Sequence, residues 1–213
     1  TLSQGFEFMI KGDIIRTKSF SWNTTIAIST NKQKVLDLGS LVRVALDNND
    51  YGGITSYLEV GAPIGANYGV EYAGTWKSQA EIDAELAKPA DKRPYVSASA
   101  YYTPGRPKYF DYVKDGQYTV ADQHYLGTQN PTLFGGIGNT FSYKKLSLDF
   151  FLQYVSGNTM YNQFEFFLGS GQFIANQYSY MVNRWSPANP TSNVPSVESR
   201  DNVPSTRYLH DAS

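Results

Sequence analysis

The sequence predicts an all-β fold: about six antiparallel strands of a transmembrane β-barrel, with long loops on one side and one short surface helix. Three observations predict it. First, side chains alternate with period two on both sides of the turn at Lys144-Lys145. Leu146, Leu148, Phe150, Leu152 and Tyr154 fall on one face, and Ser147, Asp149, Phe151 and Gln153 on the other. Second, aromatic residues flank the turns, Phe20 and Trp22 at one and Phe141 and Tyr143 at another. Barrels carry such girdles at the lipid–water boundary. Third, the connections alternate short and long, which places every long loop on the same side, as in outer-membrane barrels. A soluble sandwich shares the alternation of side chains but does not require that alternation of loops.

The first hairpin runs from Gln4 to Thr30. Phe6, Phe8 and Ile10 alternate with Glu7, Met9 and Lys11, and the turn is expected at Gly12–Lys18. In the return strand Phe20, Trp22, Thr24, Ile26 and Ile28 oppose Ser19, Ser21, Asn23, Thr25, Ala27 and Ser29. That second face is uniformly small and polar, as a water-facing lumen requires. Residues 31–53 read as a loop, broken by Asn48-Asn49-Asp50 and Gly52-Gly53. A weaker strand covers Ile54–Val60, a tight connection Gly61–Gly65, and a further strand Asn67–Trp76. Ser78 and Glu81 then have capping-box spacing ahead of a helix through Ile82–Ala87. Glu81, Asp83 and Glu85 read as its solvated face. The second long loop is 77–131 and the third 157–205. Pro187, Pro190, Pro195 and Pro204 keep the end of the third out of any sheet.

Composition narrows the classes. With no cysteine among 213 residues, disulfides and thiolate metal sites are excluded. A net charge of −1 gives no electrostatic reason to expect nucleic acid. No apolar run reaches the roughly 20 residues of a membrane-spanning helix, which leaves barrel strands of about ten residues untouched. The start lacks the basic and apolar segments of a signal peptide, and Arg207–Ser213 stops where another strand begins. The chain is therefore expected to be a piece of a longer polypeptide.

Several motifs carry a family resemblance. They are Gly5-Phe6-Glu7, Phe20-Ser21-Trp22-Asn23, Asn31-Lys32-Gln33-Lys34-Val35 and Pro63-Ile64-Gly65 with Tyr68-Gly69. Further on come Pro104-Gly105-Arg106-Pro107-Lys108-Tyr109, Leu126-Gly127-Thr128-Gln129-Asn130-Pro131, Asn139–Tyr143 and Arg184-Trp185-Ser186-Pro187-Ala188-Asn189-Pro190-Thr191. In this order they resemble the SusC/RagA-like TonB-dependent outer-membrane transporters of Bacteroidetes, in the C-terminal part of the barrel. The resemblance implies that residues 1–213 are part of one large plugged barrel domain, of the roughly 22-stranded type, with its plug and final strands outside the chain. It implies an outer-membrane location, lipid contact, energy from TonB, a SusD-like surface lipoprotein, and oligosaccharide or peptide cargo. It implies no enzymatic activity.

The candidate metal ligands are Asp111, Asp115 and Asp122, because calcium takes several oxygen ligands from Asp-rich loops bent at a glycine, here Gly116. Many members of the resembled family carry a fuller acidic version of loop 111–122. Val113 offers only a carbonyl here, so the preferred reading is a metal-free ordered turn, with Ca2+ as the alternative; no other cofactor is expected. His124 and His210 have no local catalytic or metal-binding context. The aromatics Tyr161, Phe164, Phe166, Phe167, Phe173, Tyr178, Tyr180 and Trp185 could hold sugar, peptide or the lipoprotein; a small core within their own loop is the preferred reading. Glu7, Asn23, Asp149 and Gln153 are expected on the lumen face. A secreted β-sandwich carbohydrate-binding module is the alternative fold and function. A glycoside hydrolase would need paired carboxylates, and the sequence pairs none.

Overall fold

The computed structural model describes residues 1–46, 54–97, 99–199 and 203–213. The loop breakers Asn48–Asp50 and Gly52-Gly53 lie outside them. In chain order the strands are β1 (Leu2–Arg16), β2 (Phe20–Lys34), β3 (Arg43–Ala45), β4 (Thr55–Glu59), β5 (Ala66–Gly69) and β6 (Tyr72–Thr75). Helix α1 (Gln79–Leu86) follows, then β7 (Pro107–Tyr109), β8 (His124–Thr128), β9 (Leu133–Tyr143), β10 (Leu146–Ser156) and β11 (Thr159–Tyr161). Helix α2 (Gln163–Gly169) and β12 (Leu209–Asp211) complete the order, with short 3-10 turns between.

The all-β class holds, but its organisation departs from six equal strands. Only β1, β2, β9 and β10 are long, and they form one antiparallel sheet in that order. The strands expected at Ile54–Val60 and Asn67–Trp76 do not join it. They split into β4, β5 and β6, of four or five residues each, below the nine or more a bilayer crossing needs. With β3 and β8 they build a second sheet, β3-β4-β5-β8, while β6 pairs with β7 and β11 with β12. Thus 31–53, 77–131 and 157–205 are not bare loops: β2 runs on to Lys34, and β3, β7, β8 and β11 arise within them and join these small sheets. The alternation of short and long connections survives in coarser form, with everything between Lys34 and Leu133 forming one long excursion.

The first turn is also tighter than expected. Residues 12–16 stay in the ladder, which shifts register between Asp13 and Ile15, and Thr17 closes the turn by donating its amide to Phe20 O at 2.7 Å. One extra residue in β1 therefore re-aims the strand end, as a bulge does. The Lys144-Lys145 turn stands where the alternation puts it, with Lys144 at φ 53°.

Register assigns each side chain of the long sheet to a face. On one face Ile10, Ile26, Ile137 and Leu152 form a row across all four strands. Phe8, Ile28, Gly135 and Tyr154 form the next. Toward the turns, Trp22 stacks on Phe141 (centroids 5.5 Å) and Phe141 on Phe150 (5.9 Å). This apolar face is uncovered among the described residues: Phe6 is 63% exposed, Leu148 63% and Leu152 62%.

The buried core lies instead in the excursions. Val70, Val96, Tyr109 and Val203 cluster there, with Tyr72, Tyr101 and Tyr118 packed against them. Ser78 caps α1 as its spacing requires, accepting from the Glu81 amide at 3.2 Å. The reciprocal arm differs, because Glu81 accepts from Lys77 N (2.7 Å) and the Lys108 ammonium (2.7 Å). Glu85 is buried and paired with Lys88 at 2.6 Å. The acidic strip is therefore not a solvated face, and only Asp83 of the three is exposed.

Candidate functional site

The polar face of the long sheet gathers the residues expected to meet water. Asp13, Asn23, Thr140 and Asp149 lie in one register row across the four strands. Asn23 Nδ2 donates to Asp13 Oδ1 (3.0 Å), and Thr140 Oγ1 donates to Asp149 Oδ1 (2.6 Å). Arg16 approaches Asp13 at 3.3 Å. Glu7 and Gln153 sit on the same face and are exposed. Met9, Phe134 and Phe151 also share it, so it is not uniformly polar. The Phe151 ring reaches over Gly136, where a Cβ would come within 2.3 Å of it. The glycine is needed there because two side chains cannot occupy one site over the sheet.

Asp111, Asp115 and Asp122 come together, each offering a carboxylate oxygen within 4.8 Å of the others. Their hydrogen bonds decide what that cluster is. Asp122, 1% exposed, accepts from Tyr112 N (3.1 Å) and Val113 N (3.2 Å) on one oxygen, and from Thr119 N (2.9 Å) and Thr119 Oγ1 (3.1 Å) on the other. All four of its lone-pair sites are engaged. Asp111 accepts from Lys114 N (2.6 Å) and Gly116 N (2.8 Å), and Asp115 from Gln117 N (2.7 Å). A calcium ion, which takes six to eight oxygens, would have to share these carboxylate oxygens with the amides already bonded to them. Backbone amides thus solvate all three carboxylates.

The two histidines stand apart, each beside a carboxylate that the sequence order did not reveal. His124 lies 3.6 Å from Glu71 and packs on the Tyr112 ring at 4.7 Å. His210 Nε2 is 2.5 Å from Glu165. Tyr112 also donates to Glu71 (2.5 Å), and that bond, with burial and the Glu71 charge, pushes its phenol up to about 12. The last excursion's aromatics form a core in part. Phe166, 3% exposed, packs on Phe167, Phe173 and Tyr208 with centroids 5.7, 6.4 and 5.4 Å away. Phe164, by contrast, is 76% exposed.

Three features had no sequence signal. Lys108 is buried, with its ammonium 4.9 Å from the Trp76 ring and 5.4 Å from the Tyr95 ring, while it pairs with Glu81. An amide cluster joins the second sheet to β11. Asn67, 1% exposed, accepts from Ser56 Oγ (3.2 Å) and Gln129 Nε2 (3.2 Å) and donates to Thr159 Oγ1 (3.1 Å). The third feature is the meeting of two distant motifs. Gly105, φ +86°, lies against the Trp185 indole, so that a Cβ there would sit 2.4 Å from Cε3. Gly105 N donates to Trp76 O (2.8 Å), Ser196 N donates to Gly105 O (2.9 Å), and Trp185 Nε1 donates to Lys77 O (3.2 Å).

These contacts support two predictions. Gly105→Val meets both positive-φ strain, about 1–3 kcal/mol, and a clash with Trp185. Limited proteolysis of the full-length protein is expected to cut near 184–196 in this variant and not in wild type. The second concerns acid. Burial works to raise the Glu81 carboxyl, but the Lys108 hydrogen bond, the Lys77 amide and both ammonium charges outweigh it and hold it below the usual carboxylate range. A depressed folded-state pKa contributes stability above the ordinary value, near 4.3, and loses it as pH falls through the lowered one. Fluorescence of Trp76, under Lys108, should therefore change only below about pH 4.3, and Glu81→Gln should abolish that acid transition.

No family model matches the chain. Over 218 residues it is 34% identical to TonB-dependent receptor P26 of Formosa agariphila, covering 99% of this chain and 21% of that protein. Over 216 residues it is 30% identical to TonB-dependent receptor P3 of the same organism, covering 99% and 20%. Among solved structures, the RagAB peptide transporter superposes with a TM-score of 0.70 at 23% identity, over 99% of this chain and 21% of that one. The RagAB peptide importer in its closed-closed state gives 0.71 at 24% identity, and in its open-open state 0.68 at 24%. The chain thus spans about a fifth of the proteins it matches, and its fold is that of the corresponding portion of those transporters. These relatives are named as receptors and transporters.

Proposed function

We propose, from the chain's kinship with the SusC/RagA-like TonB-dependent receptors, that it is part of the wall and outer loops of an outer-membrane nutrient transporter. The observation that carries this reading is the uncovered apolar face of β1, β2, β9 and β10. Strands of 11 and 15 residues match the roughly 25 Å apolar band of an outer-membrane barrel. Water would penalise such a face, and lipid would not. The opposite face, with Glu7, Asn23, Asp149 and Gln153, would line the lumen, and the Trp22–Phe141–Phe150 stack would lie at the lipid boundary. In lipid the outer backbone groups of β1 and β10 must be paired, so the sheet continues into further strands of a plugged barrel. Cargo would be an oligosaccharide or peptide, drawn in with TonB-derived energy beneath a SusD-like surface lipoprotein. Loop 111–122 would be a metal-free turn supporting the outer excursions.

The test is the full-length protein on a gel in detergent, heated and unheated. A heat-modifiable band with a lipoprotein co-purifying is expected. A detergent-independent, non-modifiable species would overturn this reading in favour of a secreted carbohydrate-binding module.

A further inference from the structure

The short-turn end of the long sheet is cationic, and the chain does not answer that charge. Lys18 and Lys145 are exposed, and their side chains have no hydrogen-bond or ion-pair partner among the described residues. Lys144 is also exposed and holds its ammonium 5.3 Å from the centroid of the Tyr143 ring. Tyr143 belongs to the apolar face, in the row with Phe20 and Leu146. The acids of the four long strands are Glu7, Asp13 and Asp149, and all three lie on the opposite, polar face. Asp13 and Asp149 are engaged there by Arg16, Asn23 and Thr140.

The two turns form one base. Lys144 N donates to Ser19 O at 2.9 Å, and Thr17 closes its own turn on Phe20 O through both its amide (2.7 Å) and its hydroxyl (2.9 Å). The spacing of charge along the apolar face indicates what this base meets. Between the Phe20–Tyr143–Leu146 row and the Gln4–Lys32 pair, no residue of that face is charged. From Phe20 to Lys32 the strand advances twelve residues, about 40 Å along its own direction. At a tilt near 45° that is about 28 Å along a membrane normal, close to the roughly 30 Å of a hydrocarbon core. Charge therefore resumes on this face at the two depths where lipid headgroups begin.

We propose that Lys18, Lys144 and Lys145 form a docking surface selective for anionic phospholipid headgroups. Short turns of outer-membrane barrels face the periplasm, which places this surface against the inner leaflet of the outer membrane. A headgroup of net negative charge supplies the countercharge that the chain lacks. A zwitterionic one brings its own ammonium close to the lysines and gains less. Each lysine near an anionic lipid surface strengthens association about fivefold, and a lysine ammonium, as a point charge, takes a phosphate in many orientations. The Phe20–Tyr143–Leu146 row directly beside the cations would contact the acyl chains of the same lipid. The proposal rests on the transport reading for the sheet lying in a membrane, and deepens it by naming the lipid class that this end selects.

The test is native mass spectrometry of the full-length protein in detergent, titrated with phosphatidylglycerol or with phosphatidylcholine of the same acyl chains. Wild type is expected to bind phosphatidylglycerol more tightly, by an amount that shrinks as added salt screens the charges. A triple variant carrying Lys18→Gln, Lys144→Gln and Lys145→Gln should lose at least tenfold in phosphatidylglycerol affinity and keep its phosphatidylcholine affinity. Lys144→Gln alone should lose up to about fivefold. Lys11→Gln, on the polar face of β1, removes the same charge and should lose none. Equal affinity of wild type for the two lipids overturns the proposal, as does an unchanged triple variant. An equal loss in Lys11→Gln and Lys144→Gln also overturns it, because net charge rather than the turn surface would then govern binding. Heat-modifiability of the same samples shows that the variants fold. A wild type that is not heat-modifiable would overturn the transporter reading and the lipid surface with it, whereas a heat-modifiable wild type without the preference overturns the lipid surface alone.

Discussion

Ile137→Arg is expected to remove most of the protein from the outer membrane. Ile137 stands in the middle of β9, in the row with Ile10, Ile26 and Leu152. If that row faces lipid, an arginine there costs about 2–4 kcal/mol near the bilayer midplane. A loss of that size is a large fraction of the 5–15 kcal/mol that separates folded from unfolded states. The matched control is Asn23→Arg on the opposite face. Asn23 lies between Asp13 and Thr140 in the polar row, so a cation there meets carboxylates and water, and a change within about 0.5 kcal/mol is expected. Urea titration of the full-length protein in lipid vesicles measures both. Equal tolerance of the two would mean that the face carrying Ile137 is not in lipid, and the transporter reading would fall with it. Equal damage would mean that both faces are packed, as in a sandwich.

The long sheet was legible because its pattern is a property of single residues. A strand that meets apolar surroundings on one side and water on the other must alternate, and β2, β9 and β10 largely do so, with Phe134 and Phe151 on the polar face and Asn139 on the apolar one as departures. The middle of the chain was less legible for a physical reason. Asn67–Trp76 alternates like one strand, but Val70 turns into a bridge with Ser205 and the two halves pair with different sheets. Partners that lie more than 30 residues away, in β7, β8 and at Ser205, decide this, and no local period records them. The same holds for the candidate sites. The Asp cluster could be found because its members lie within twelve residues of each other and acidic loops have a known geometry. The pairing of His210 with Glu165, the Trp185 indole on Gly105 and the amide cluster at Asn67 are juxtapositions of distant segments. The charged strip of α1 misled for a related reason. Glu81 and Glu85 read as solvated by composition, yet Lys108 and Lys88 come in to pair with them, and once paired a carboxylate tolerates burial.

Asp122→Ala is the second large effect expected, and it is local. Removing this carboxylate leaves the amides of Tyr112, Val113 and Thr119 without their acceptor. A buried donor left unsatisfied costs about 1–3 kcal/mol. Tyr112 and Val113 are exposed enough for water to take over part of that role, so roughly 3 kcal/mol for the turn as a whole is the expected scale. Hydrogen exchange in the full-length protein should show the amides of 112–119 opening while those of β9 and β10 stay protected. Asp122→Asn, which keeps one acceptor oxygen, should fall between. Asp115→Ala should do little, because Asp115 is exposed and, among the described residues, its carboxylate accepts only from Gln117 N, two residues along. That ordering separates the two origins of the turn. An amide-held turn depends on Asp122 far more than on Asp115, and is indifferent to a calcium chelator. A cation-held turn would need both carboxylates to bind the ion, so Asp115→Ala would damage it comparably and the chelator would open it. Chelator-induced exchange at 112–119 would therefore overturn the metal-free assignment, whatever the alanine variants do.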